Sequence, residues 1–313
     1  MTENRYLPEG RLIATEENRE ALSSPQALER AAALGRIVEA VAVLCDSEMN
    51  LIVDLGCMKG IIRRSEAAYV GDDEEVKDIA VISRVGKPVC FKILGFTREN
   101  DGSCIAELSR RAAQRECMYS YLMCLSCGDI IDAKITHLEH FGAFVDVGCG
   151  VASLLSIDSI SVSRISHPRD RFCIGMYIKT VVRSIDREQM RICVSHKELL
   201  GTWEENAQGF TVGQTVMGIV RSIEEYGIFI ELTPNLAGLA EYREDVEVGQ
   251  SVAVYIKNII PERMKIKLVI IDSCKVESPS RAIEYFMPVD TEHIDYWRYS
   301  PVPSGKIIES RFA

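Results

Sequence analysis

Alternation of apolar and polar positions organises most of this chain, and it does so three times over. Each of three segments opens on a glycine and an alternating run: Gly35-Arg36-Ile37-Val38-Glu39-Ala40-Val41, Gly128-Asp129-Ile130-Ile131-Asp132-Ala133-Lys134-Ile135, and Gly213-Gln214-Thr215-Val216-Met217-Gly218-Ile219-Val220. A period of two marks a strand with one buried face. A second strand of matching pattern follows in each: Leu51-Ile52-Val53-Asp54-Leu55-Gly56, Ala143-Phe144-Val145-Asp146-Val147-Gly148, and Ile228-Phe229-Ile230-Glu231-Leu232. A short third strand comes next, then a variable loop, a Gly-led fourth strand (Gly86, Gly175, Gly249) and a fifth (Cys104–Leu108, Met190–Val194, Met264–Leu268). Five short alternating strands with glycine at the turns predict a small closed sheet, because closure removes exposed edges. The fold class expected is therefore mostly β: three tandem five-stranded OB-fold barrels joined by short helices.

Helix signals fall between the repeats. Ser24-Pro25 combines an N-cap with proline at the first helical position, ahead of Gln26 to Leu34 and a stop at Gly35. Residues 110–123 read as helix, and Thr202-Trp203-Glu204-Glu205 has capping-box spacing. The expected division is an N-terminal extension with helix (1–34), a first barrel (35–116), a helical linker (117–127), a second barrel (128–200), a short helical linker (201–212), a third barrel (213–272) and a tail (273–313). The tail's aromatics (Tyr285, Phe286, Tyr296, Trp297, Tyr299, Phe312) show no period, so it is expected either as an extended segment draped on a barrel or as a loose tail.

Composition narrows the function classes. With 313 residues and 47% hydrophobic content, several packed cores are affordable and wholesale disorder is not expected. No apolar run is long enough to span a bilayer, and the first residues lack a basic, then apolar, leader pattern, so a cytoplasmic protein without a membrane partner is expected. Eleven scattered cysteines fit reduced thiols. Cys124-Leu125-Ser126-Cys127 is the one CxxC, without the two further ligands that a zinc site needs. Neither a Gly-rich phosphate loop nor HExxH or GxSxG occurs, so no catalytic residue, metal, cofactor or small-molecule substrate is expected.

A net charge of −10 argues against a polyanion partner until its distribution is considered. Residues 128–200 balance nine Lys/Arg against nine Asp/Glu and hold four of the five histidines, whereas 203–272 carry six against eleven. The middle repeat also has Arg164, Arg169 and Arg171 in one loop around His167, which reads either as a solvated loop or as a phosphate-tracking rim. In the same repeat Phe141-Gly142-Ala143-Phe144 places two aromatics at the entry to the second strand. A bulge at Gly142 would let both rings reach the outer surface as a base-stacking platform; without it, one or both would fill the barrel.

These residues, with Ser166-His167-Pro168 and Arg191-Ile192-Cys193-Val194-Ser195, resemble the RNA-binding domain named after ribosomal protein S-one. The whole layout over roughly 35–272 looks most like the shorter S-one homologues of Gram-positive bacteria. That resemblance implies OB barrels that hold single-stranded RNA and help bring messenger RNA to the small ribosomal subunit. It places the family's surface aromatics on Phe141 and Phe144, its Arg on Arg191 and its Asp, which would orient that Arg, on Asp186. The family's histidine position is Ser156 here. Tyr226 and Phe229 repeat the aromatic pair in the third barrel, with Lys265 for the Arg, and acids nearby predict weaker RNA binding there. Met49 and Ile52 occupy the aromatic positions of the first barrel, so 35–116 are expected to act as a docking module on the ribosome. The alternatives are an RNA-binding regulator or chaperone not stably on the ribosome, and a protein-interaction scaffold.

Overall fold

Each repeat closes on itself. The computed structural model describes residues 6–70, 75–98, 102–274 and 283–312. Barrel 1 comprises β1 (Val38–Cys45), β2 (Leu51–Asp54), β3 (Lys59–Ile62), β4 (Pro88–Arg98) and β5 (Cys104–Ser109). Barrel 2 comprises β6 (Ile130–Glu139), β7 (Gly142–Asp146), β8 (Ala152–Ser156), β9 (Tyr177–Asp186) and β10 (Arg191–Ser195). In barrel 3 the strands are β11 (Thr215–Glu224), β12 (Gly227–Thr233), β13 (Leu236–Ala240), β14 (Ser251–Ile260) and β15 (Lys265–Cys274). All three barrels are closed in the same cyclic order. The third and fifth strands of each run parallel, and the other pairs are antiparallel. The inward half of every alternation fills the interiors with Val53, Phe91 and Leu108, then Ile135, Val145 and Leu155, then Val220, Ile230 and Leu268, all at most 3% exposed. Burying one such side chain contributes about 1.5–3 kcal/mol.

Capping residues start the helices as their chemistry dictates. The Thr15 side chain caps α1 (Glu16–Leu22), an element with no signal singled out in the sequence; Ser24 caps α2 (Pro25–Ala33) with Pro25 in its first turn. The short α3 (Asp78–Ile82) lies in the loop between β3 and β4. Ser109 caps α4 (Arg110–Ser120), and Thr202 with Glu205 forms the expected capping box on α5 (Trp203–Ala207).

Successive barrels meet head to tail through buried ion pairs. At the first junction Arg110 makes a two-pronged contact with Glu9, at 2.7 and 3.1 Å, while donating to the carbonyl of Ala67. The Glu9 N–H donates to Asp146, at the end of β7, and Gln114 donates to the Gly150 carbonyl. At the second, Arg171 meets Glu231 of β12 at 2.5 Å, and Arg221 bridges Glu231 and Asp170. Asn235 accepts from the Val162 N–H and donates to the carbonyls of Lys197 and Gly201. In both junctions the region after the third strand of one barrel abuts the end of the second strand of the next. Asp146 is 2% exposed and Glu231 5%, whereas the matching acid of barrel 1, Asp54, is exposed.

The described part of the tail is a strap. Trp297 and Tyr299 pack into the barrel 3 core, and Ile294 and Phe312 pack on Val181 and Leu199 of barrel 2. Tyr285 accepts from the Lys179 N–H, the Phe286 N–H donates to Leu199, and β16 (Tyr296–Arg298) pairs with β17 (Glu309–Arg311). A tail with this many buried rings is tied across both barrels rather than loose, because each ring finds an apolar seat that water cannot offer. Residues 275–282 of that tail lie outside the described residues.

Candidate nucleic-acid interface

Two aromatic rings stand on the outside of barrel 2. Phe141 lies in the turn between β6 and β7 and is 55% exposed; Phe144 lies on β7, half-buried. Their centroids are 6.0 Å apart at 88°. The expected bulge at Gly142 is not where the irregularity falls. It falls one strand away, between Ile135 and His137 on β6, and Phe141 escapes strand alternation because it belongs to the turn. The bulge re-phases β6, so His137 turns outward beside Phe144, 6.5 Å between ring centroids. Gly142 is required by close approach: a Cβ there would lie 2.4 Å from the Leu155 carbonyl oxygen. Gly142→Ala is therefore expected to cost about 1–3 kcal/mol, read as a lower urea midpoint.

Strand register shows which side chains share the outer face. Across barrel 2 one row of partners runs His137, Phe144, Leu154, Cys193, Ser184. The matching row of barrel 3 is Ser222, Phe229, Leu239, Lys267, Asn258. In barrel 1 it is Leu44, Ile52, Ile61, Glu107, Gly95. Barrel 3 repeats the aromatic geometry, with Tyr226 71% exposed and 6.0 Å from Phe229 at 87°. Lys265 and Lys267 are both exposed beside that pair. The barrel 1 row is aliphatic, and Glu107 within it is ion-paired with Arg63 at 2.8 Å. Met49 there sits in a hairpin turn and offers no ring.

The remaining candidates divide. Arg164 and Arg169 are exposed, and His167 caps the turn at Pro168 while its ring meets His140 edge-on at 4.7 Å. Arg171 is a correction to the rim reading: it is 8% exposed and held by Glu231, so it joins barrels instead of tracking phosphate. Arg191 is exposed and faces Asp186 in register, yet the Asp186 carboxylate accepts the turn N–H groups of Glu188 and Gln189. Both of those N–H groups go to Oδ1, and no side-chain hydrogen bond or ion pair joins Asp186 to Arg191 among the described residues. Among the described residues no group of acids, histidines and cysteines has metal-binding geometry, and no helix is long and apolar enough to cross a membrane.

Residues 126–197, the whole of barrel 2 with its flanks, match the family described as the S1 RNA binding domain. The middle barrel is an S1 domain. Over 235 residues the chain is 31% identical to small ribosomal subunit protein bS1 of Staphylococcus aureus, covering 70% of this chain and 57% of that protein. Against the bS1 homolog of Bacillus subtilis the figures are 30% over 237 residues, 70% and 59%. The chain thus spans less than two thirds of the length of these relatives. A solved multidomain protein with nucleic acid binding domains from Streptococcus pneumoniae is 12% identical, covering 76% of this chain and 74% of that one, with a TM-score of 0.24, too low to bear on function.

In barrel 3, sequence reading missed Lys267. A bulge has no composition of its own, so the register that sets His137 opposite Phe144 was not legible in the sequence. Lys267 was within reach, two residues beyond Lys265 on the same strand face.

Proposed function

We propose that this protein binds single-stranded RNA, messenger RNA above all, on the outer faces of barrels 2 and 3, and works in the cytoplasm in translation at the small ribosomal subunit. The observation that carries this reading is the pair of exposed aromatic couples in one geometry, 6.0 Å at 88° and 6.0 Å at 87°, each beside exposed cations. Edge-to-face rings standing in solvent leave a face free for a base, and stacking on such a face tolerates any sequence. Arg191 in barrel 2 and Lys265 with Lys267 in barrel 3 supply phosphate contacts. The aliphatic row Leu44, Ile52, Ile61 offers nothing to RNA, and the exposed Val43 and Leu94 near it fit a protein-docking role for barrel 1 on the ribosome. Support for the translational setting comes from relatives named as small ribosomal subunit proteins. The reading involves no catalytic step and no cofactor.

Titration of the protein with an oligouridine at several salt concentrations tests it. Binding should weaken as salt rises, and Arg191→Ala or Lys267→Ala should each reduce the slope of log affinity against log salt by about 0.7. Affinity independent of salt and of both variants would sink the reading. Co-sedimentation of the protein with small ribosomal subunits, lost in Leu44→Asp, tests the docking part.

A further inference from the structure

The second junction holds more than the ion pair that closes it. A cavity of ≈ 530 Å³ opens there, lined by Ile157, Asp158, Arg164, Ile165 and Lys197 of barrel 2 and by Ile308 of the strap. One wall is continuous with the stacking platform, since the Ile157 N–H donates to the Phe141 carbonyl at 2.9 Å. Its other end lies against barrel 3: Val162, which also lines it, donates its N–H to Asn235 at the turn between β12 and β13. From that turn β12 leads to Phe229, roughly 20 Å away, and Tyr226, roughly 30 Å away, at about 3.3 Å per residue. The cavity therefore adjoins the barrel 2 platform at one end and the β12–β13 turn of barrel 3 at the other.

Its chemistry matches a nucleotide. Arg164 is exposed and makes no hydrogen bond or ion pair with the described residues, and the Lys197 Nζ is held by the Asp158 carbonyl alone, at 3.3 Å. Both cations are free to meet a phosphate, while Ile157, Ile165 and Ile308 offer apolar walls to a base. The Arg171–Glu231–Arg221 contacts and the strap hold the two barrels in one arrangement, so a strand bound on one platform is delivered to the other at a high effective concentration.

We propose that barrels 2 and 3 bind one continuous RNA strand that crosses the seam between them, with a linking nucleotide lodged in this cavity and its phosphate on Arg164 and Lys197. The proposal rests on the RNA-binding reading above and adds to it a site and a path. Fluorescence anisotropy of the full chain with labelled oligouridines of about 4 and about 16 nucleotides tests it, the shorter being enough for one barrel and the longer for both. The longer RNA should bind about 10²-fold tighter than the shorter. The double variant Arg164→Ala/Lys197→Ala should weaken the longer RNA about tenfold and leave the shorter unchanged, its melting curve confirming an intact fold. Equal affinity for both lengths, an unchanged longer complex in the double variant, or equal weakening of both lengths would each overturn the proposal. Failure of every length to bind would instead overturn the RNA-binding reading itself.

Discussion

Replacing Phe144 and Phe229 together by alanine is expected to abolish most affinity for unstructured RNA, a loss of about 2–6 kcal/mol if each platform contributes about 1–3 kcal/mol per base and the two act independently. The two rings belong to different barrels, and neither fills an interior, so truncation removes stacking surface without opening a core. Urea melting of the double variant should match the parent within about 0.5 kcal/mol, the range for surface substitutions. Ile52→Ala in barrel 1 is the control, because its row carries no ring and its RNA affinity should stay as in the parent. A filter-binding titration in which the double variant binds as the parent does would favour a protein scaffold over an RNA binder.

The second large effect concerns the first junction. Glu9→Ala should destabilise the protein by about 3–5 kcal/mol, since Arg110 would be left as a buried charge without its partner. Arg110 is 4% exposed and Glu9 equally so, which removes the solvent screening that makes surface pairs weak. Burial opposes ionisation of Glu9, yet Arg110, with Arg84 beyond it, holds the carboxyl below its usual range. Asp146 answers in the opposite direction: burial, and then the Glu9 carboxylate, pushes its pKa up to about 7, and the N–H groups of Glu9 and Gly148 offset only part of that. A folded carboxyl above its unfolded value binds a proton that the unfolded chain has released. Its stabilising contribution is complete below the unfolded value near 3.8 and is lost as pH rises through about 7. Urea midpoints should accordingly fall between about pH 4 and pH 7, and Asp146→Asn should flatten that dependence. A midpoint that climbs across this window in the parent would contradict the assignment.

Two helical connectors were legible because their caps are local chemistry: Ser24 and Thr202 each accept from the N–H three residues on, whatever the rest of the chain does. The aromatic pairs were legible as a motif, but their exposure was not. Two side chains three apart on an ideal strand face opposite ways, and the escape taken here depends on where the β6–β7 turn begins. Arg171 shows the same limit from the other side. Three arginines in one loop carry equal weight in sequence, and Glu231, sixty residues on, selects one of them for burial.

The strand period, the three-fold repeat and the glycine-led turns by themselves determined that this chain makes three small closed barrels, because a period of two with one apolar face admits few other solutions. Only the folded molecule decided which cations join barrels and which face solvent, that His137 lies in the row of Phe144 and Lys267 in the row of Phe229, and that a cavity opens at the seam of barrels 2 and 3. Those outcomes depend on register and on contacts between residues far apart in the chain. Local pattern carries neither.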